Sequence, residues 1–273
     1  MTNLTSRILS AIAAIIILTL VIYNFKAVGV YGLITFVVIR GSHEFARMVF
    51  KNNFSKKLIY FYVFFNSLLF LLLTHDGLKP LSILLIITSF SVSVLYGVLL
   101  HKQFADLQSI LNFVSLFCLG SIYTALIPAT VAWLVLTPDN GLQWFFCLLT
   151  VVFAGDIGAY VFGVTMGKTK IAPSLSPNKS VQGAIGGLIF SMIAALSFSY
   201  ALPGTPLWLL AICGIFGGFL GQVGDFFESL IKRVSGVKDS GSIMPGHGGL
   251  LDRLDGILMA APLFYYAANL YSL

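Results

Sequence analysis

Six of the chain's ten acidic residues fall between 156 and 255: Asp156, Asp225, Glu228, Asp239, Asp252 and Asp255. Asp225, Glu228, Asp252 and Asp255 adjoin long apolar runs, where a charged side chain costs about 2.5–3.5 kcal/mol on membrane-insertion scales. Residues kept at such a cost point to compensating cations, metals or water, rather than to solvated loop charges. On a helix, Asp225, Ser229 and Lys232 recur at i, i+4 and i+7, which aligns two oxygen groups and a cation on one face. Asp252 and Asp255 share a face at i and i+3. Between these pairs, 234–249 is rich in glycine and polar residues and carries Lys238, Asp239, Ser240 and Pro245-Gly246-His247-Gly248-Gly249. A loop of this composition can bring backbone N–H groups close to phosphates. Two carboxylate-bearing helix ends joined by a basic, glycine-rich loop suit Mg²⁺ and a polyphosphate, because Mg²⁺ prefers a few carboxylates, waters and substrate oxygens. The chemistry is metal-assisted phosphoryl chemistry.

The elements that must position these groups are set by composition. With 58% hydrophobic residues, 10% charged and a mean hydropathy of +0.95, the chain is a polytopic, all-α integral membrane protein. Nine apolar runs, at 8–25, 29–49, 58–74, 81–100, 110–137, 142–165, 181–201, 206–231 and 250–271, predict about nine transmembrane helices in one membrane domain. The first has the outline of a secretory signal but no small-x-small cleavage site after it, and reads as a retained span. The fifth is too long for one straight crossing and contains Pro128, which predicts a kink, a tilt or an interfacial start. Residues 1–137 read as scaffold and lipid access, and 138–273 as the catalytic helices with their loops. The net charge of +6 is not arranged as a nucleic-acid surface, since the basic residues are not in runs interleaved with exposed aromatics. Cys118, Cys147 and Cys213 are isolated in apolar stretches without metal-like spacing and read as small buried residues.

Several features have a plain structural explanation. Gly163-Val-Thr-Met-Gly167-Lys168-Thr169 resembles a P-loop but has three residues between its glycines where four are required. Gly163, Gly167, Gly214, Gly217, Gly218, Gly221 and Gly224 read instead as close-packing positions between membrane helices. His43, His75 and His101 sit at span ends and read as interfacial. Glu44 reads equally as a cap, an interfacial charge or a residue approaching the site. His247, flanked by glycines, is the accessible histidine and is assigned to phosphate contact.

The stretch from Ser229 to Asp255, with Ser229, Lys232, Arg233, Lys238, Asp239, Ser240, Pro245-Gly246-His247-Gly248-Gly249, Asp252, Arg253 and Asp255, resembles without a gap the defining motif of the phosphatidate cytidylyltransferases, or CDP-diglyceride synthases. An earlier stretch, Asp156 to Tyr160, Gly163, Gly167-Lys168, Lys170, Pro173 and Ser176-Pro177-Asn178-Lys179-Ser180 to Gly183, is similar to the family's second region. The resemblance implies a multi-span, Mg²⁺-dependent enzyme, often a homodimer, acting on CTP and phosphatidic acid in the bacterial inner membrane. It implies Asp225, Ser229, Asp252 and Asp255 around the metal, and Lys232, Arg233, Lys238, Asp239 and His247 as catalytic groups near nucleotide and phosphates. It implies Asp156, Lys168, Ser176, Lys179, Ser180, Ser240 and Arg253 as substrate-binding. A lipid phosphate monoester is already an anionic nucleophile at neutral pH, so neutralising two polyanions is the main task. A CTP-dependent lipid kinase, or a cytidylyltransferase for another lipid phosphate, makes the same demands. A transporter would show charges in corresponding halves of an inverted repeat, and the N-terminal half has no counterpart to Asp225, Asp252 and Asp255.

Thirteen of the sixteen basic residues fall in loops after even-numbered runs, leaving only Arg7, Lys26 and Lys79 on the other side. This puts both termini outside and 40–57, 166–180 and 232–249 in the cytoplasm. Single cysteines at Ser176 and Ser242 are therefore expected to react with an impermeant reagent only once the cytoplasmic face is opened. Labelling from the outer face alone reverses the orientation.

Overall fold

A computed structural model describes residues 3–50, 56–137, 139–243 and 248–270. Within them the chain is helical throughout except for one short hairpin. The elements are α1 (Asn3–Phe50), α2 (Lys56–Thr74), α3 (Ser82–Leu99), α4 (Leu107–Ser121), α5 (Ile127–Leu136), α6 (Gly141–Met166), β1 (Lys170–Ala172), β2 (Ser176–Ser180), α7 (Val181–Ser197), α8 (Leu207–Val234) and α9 (Leu251–Leu270). Six helices among the described residues are long and apolar enough to cross a membrane. Nine apolar runs give six such helices for three reasons. The first two runs are the two helical parts of α1, separated as expected at Lys26, whose backbone leaves helical geometry at φ 50° and ψ −135°, and only the stretch Ile15–Phe50, which contains this break, counts as one apolar segment long enough to cross. The run at 181–201 yields the 17-residue α7. The run at 250–271 yields α9, which opens on charged residues.

The helices belong to two compact units, one formed by 34–129 and the other by 1–33 with 130–273. The 34–129 unit has an aromatic interior. Phe45, Tyr62 and Phe117 are fully buried, Phe50 and Phe113 nearly so, and the ring of Tyr62 meets those of Phe50 and Phe117 edge-on. Ser42 donates to Thr124 at 3.0 Å, and Thr124 in turn donates to the carbonyl of Gly120. The long fifth run is interrupted as expected. A π-helical turn, Ile122–Leu126, joins α4 to α5 just ahead of Pro128. Proline lacks an N–H and its ring crowds the carbonyl four residues back, here Thr124, and the wider turn accommodates that carbonyl.

The second unit positions the charged residues. In it α6 packs along α7, α7 on α8, α8 on α9, and α9 returns to α6. Ser191 donates to Val151 O (2.9 Å) and Gln222 to Ala184 O (3.0 Å), pinning α6 to α7 and α7 to α8. The glycines act as close-packing positions. A Cβ on Gly214 or Gly218 would collide with α7 at Met192 or Ser191, and one on Gly217 with Phe264 of α9. Gly167 also bears out the packing reading, since a Cβ there would meet Ser180 Oγ at 2.7 Å, whereas Cβ atoms at Gly163 and Gly221 would meet only ordinary contacts at 3.7 and 3.8 Å, so those two are not close-packing positions.

Gly224 has the tightest constraint on the α8–α9 contact, because a Cβ there would run into the carbonyl oxygen of Asp255. Overpacking against immobile backbone costs about 1–3 kcal/mol. Gly224→Ala is expected to lower the melting temperature of the detergent-solubilised protein. Gly163→Ala, whose Cβ would meet nothing nearer than 3.7 Å, is expected to leave it unchanged or slightly raised. Equal melting temperatures for the two variants would disprove this account of the α8–α9 contact.

Candidate active site

Three segments of the second unit converge: the last turns of α8, the first turns of α9, and the hairpin between α6 and α7. The hairpin is antiparallel, with Lys170 opposite Ser180 and Ala172 opposite Ser176. Gln182 secures its base by accepting from the backbone N–H groups of Lys168 and Thr169 at 3.1 and 3.2 Å. Ser180 caps α7, accepting from the N–H of Gly183 at 3.2 Å. The hairpin thereby presents Lys179 to α8. Its Nζ donates to Asp225 Oδ2 at 2.7 Å and lies 4.2 Å from the centre of the Phe226 ring.

At the other end of the cluster Asp252 is bound on both carboxylate oxygens. Lys232 Nζ donates to Oδ1 at 2.6 Å, and Oδ2 accepts from the N–H and hydroxyl of Ser240, both 2.9 Å, and from Gly249 N–H at 2.8 Å. One carboxylate thus ties the loop near its beginning and end to the start of α9. Gly248 lets the loop close: its φ is 86°, and a Cβ there would meet Asp252 Oδ2 at 2.7 Å. Between the two lysines, Asp255 and Glu228 complete a continuous series. Asp255 faces both Asp225 and Glu228, and Glu228 Oε2 lies 3.5 Å from Lys232 Nζ. Asp255 and Glu228 are buried, whereas the Asp225 side chain keeps 37% of its exposure. Asp156, exposed on α6, is the electrostatic neighbour of Asp225, Lys179 and Arg253.

The structure therefore brings together Asp156, Lys179, Asp225, Lys232, Ser240, Asp252, Arg253 and Asp255 of the residues singled out in the sequence. Ser229 is half-buried on α8 between Asp225 and Lys232. Lys168, Arg233, Lys238 and Asp239 are exposed, and Ser176 opens β2. His247 lies outside the described residues. Two residues that the sequence assignments left out belong to the site. Glu228 could have been recognised from its spacing, three residues after Asp225 and four before Lys232. Phe226 carried no such signal, since its role depends on a lysine 47 positions earlier. The carboxylates meet in series rather than ringing one point, and among the described residues no group of three or more His, Cys, Asp or Glu side chains forms a ready cage for a metal ion.

These features define a polytopic all-α membrane protein with a cluster of carboxyl groups flanked by lysines at the ends of its C-terminal helices. The chain belongs to the cytidylyltransferase family, whose model matches residues 5–271. It is 46% identical over 148 residues to a phosphatidate cytidylyltransferase of Staphylococcus saprophyticus, covering 54% of this chain and 56% of the relative. It is 42% identical over 134 residues to a phosphatidate cytidylyltransferase of Bacillus subtilis, covering 48% and 49%. A protein named Uncharacterized protein YnbB, from Escherichia coli, is 40% identical over 167 residues, covering 59% and 55%. The chain spans about half the length of these curated relatives.

The Lys232–Asp252 pair is largely shielded, with side chains 17% and 8% exposed. Removing one partner of such a pair leaves an uncompensated charge and costs about 3–5 kcal/mol. Lys232→Met and Asp252→Asn are each expected to destabilise the detergent-solubilised protein. In a double-mutant cycle the pair should cost less than the sum of the singles, with coupling of about 0.5–3 kcal/mol. Strict additivity would show that the two side chains do not interact in solution.

Proposed function

We propose that the chain is a phosphatidate cytidylyltransferase, joining CTP and phosphatidic acid to give CDP-diacylglycerol and pyrophosphate. The observation that carries the reading is the polar series Lys179–Asp225–Asp255–Glu228–Lys232–Asp252, set into apolar helices of a member of this family. The names of the relatives from S. saprophyticus and B. subtilis point the same way. In the reaction a phosphate oxygen of the lipid attacks the α-phosphorus of CTP, the bond from that phosphorus to the bridging oxygen breaks, and pyrophosphate leaves with the electron pair. No proton need be removed from the nucleophile, so the residues act by binding, orienting and neutralising charge.

Mg²⁺ is the expected cofactor. Asp225, Asp255 and Glu228 set carboxyl groups against one another, although Asp225 already accepts from Lys179 and Asp255 from the N–H of Gly256, and such oxygens are of the kind a hard cation takes. Asp225, Ser229, Asp252 and Asp255 are the proposed holders, and the ion would neutralise the triphosphate and the charge developing on the leaving pyrophosphate. Lys179 and Lys232 lie at either end of this group, where their ammonium groups can turn from carboxylate to phosphate when substrate arrives. Arg233, Lys238, Asp239, Lys168 and Arg253, all exposed, are the proposed outer contacts for nucleotide and lipid phosphate, with Ser176 and His247 nearby in the chain. Ser180 and Ser240 act through the elements they fasten, α7 and the loop. Asp156, an electrostatic neighbour of Lys179 and Arg253, is proposed to attract them towards the substrate-binding side of the cluster. The concentration of lysine and arginine around this cluster supports a site facing the cytoplasm, in a bacterial inner membrane, where CTP is present. A homodimer is part of this proposal.

Purified protein incubated with Mg²⁺, CTP labelled in the base and a panel of lipid phosphates is expected to form a cytidine-containing lipid with phosphatidic acid, together with one equivalent of pyrophosphate. Label in a different lipid would identify another lipid phosphate as substrate. Transfer of the γ-phosphate alone, leaving CDP free in solution, would identify a CTP-dependent lipid kinase.

A further inference from the structure

The 34–129 unit buries a polar group of its own. Tyr62 and Asn66 on α2, Ser121 at the end of α4, Thr124 in the π-helical turn and Ser42 on α1 are all 2% exposed or less. Part of their hydrogen-bonding capacity is used. Ser42 donates to Thr124, Thr124 to Gly120 O, and Asn66 Nδ2 to Tyr62 O at 2.9 Å. Three of their atoms are left over: the Tyr62 hydroxyl, Asn66 Oδ1 and Ser121 Oγ are each buried without a hydrogen-bond partner. These atoms are gathered in one place, since the Tyr62 hydroxyl faces the side chains of Asn66, Ser121 and Thr124. Gly120 makes the approach possible, because a Cβ there would collide with that hydroxyl. The Tyr62 ring packs edge-on against Phe50 and Phe117, which fixes where the hydroxyl points.

A buried polar atom left unbonded costs the folded chain stability, and lipid offers no replacement partner. The three atoms need a ligand that both gives and receives. Asn66 Oδ1 can only accept, whereas the hydroxyls of Tyr62 and Ser121 can do either. A cation would use the oxygens but bring a charge that these neutral groups do not balance. Water matches the set: it can give one proton to Asn66 Oδ1 and one to Ser121 Oγ while receiving the Tyr62 hydroxyl, the about three bonds typical of a buried water. We propose that a water molecule bound between Tyr62, Asn66 and Ser121 bridges α2 to the end of α4, inside the membrane-spanning part of the 34–129 unit. Polar groups that face one another without a direct bond are the setting in which water bridges. The site stands apart from the charged cluster, and the inference does not rest on the reaction proposed above.

Hydroxyl radicals made from water by a short X-ray pulse label side chains beside bound water even where bulk solvent does not reach. The full chain in lipid nanodiscs, irradiated in this way and read residue by residue by mass spectrometry, tests the site. Tyr62 is expected to be labelled several-fold faster than Phe70, an equally buried ring further along α2. Asn66→Leu combined with Ser121→Ala, which removes two of the water's partners, is expected to bring Tyr62 down to the rate of Phe70. Ser121→Ala alone, with a smaller fall, serves if the double variant does not fold. A Tyr62 rate no higher than that of Phe70 in the wild-type protein overturns the proposal, and so does a fast Tyr62 rate that neither variant lowers.

Discussion

Everything in the C-terminal unit depends on keeping like charges together inside helices whose other faces are apolar. Each carboxylate buried there would be intolerable alone, and the structure answers by placing lysines at the two ends of the series, Lys179 against Asp225 and Lys232 against Asp252. At the centre, Asp255 and Glu228 set carboxyl groups against one another, and the lysines flank this pair rather than lie within it.

The second requirement is distance. Carboxylates on separate helices reach one another only if the helix backbones come close, which side chains at the contact normally prevent. Along α8 the residues facing α7 and α9 are repeatedly glycine, and at Gly224 the backbone of α9 lies where a methyl group would otherwise be. In lipid no hydrophobic gain drives helices together, so this close fit and a few interhelical hydrogen bonds have to supply the association. The glycine pattern and the acidic pattern are therefore one design, the first bringing α8 and α9 within reach and the second using that reach.

Much of this was legible in the sequence, and what was missed has physical causes. The helical class, the gathering of charged groups after residue 150, and the meeting of α8 with α9 all followed from hydropathy and from carboxylates at helical spacing. Which charge pairs with which did not. Asp225, Ser229 and Lys232 do share a face, yet Asp225 is bound by Lys179 from the hairpin and Lys232 reaches over to Asp252 on the next helix. A lysine stem is long enough to leave its own helix, so periodicity fixes where the stem starts and not where the ammonium ends. Glu228 had the spacing to be recognised, three residues after Asp225 and four before Lys232, but its approach to Asp255 joins two helices and has no sequence signal. The breaks at Lys26 and ahead of Pro128 did carry a signal, a lysine between two apolar runs and a proline within one, but the π-helical form of the second did not, since it is an adjustment of backbone geometry.

The fastening of the loop by Asp252 has a thermodynamic side. The same carboxylate receives Ser240, Gly249 and Lys232 at the opening of α9, where helix N–H groups lack partners and a negative charge is favoured. The described ends of the glycine-rich segment, at Ser240 and Gly249, are therefore fastened to the first turn of α9 and the last turns of α8 through one carboxylate. Local opening at any of these points gives up bonds to the same group, so their fluctuations are expected to be coupled rather than independent.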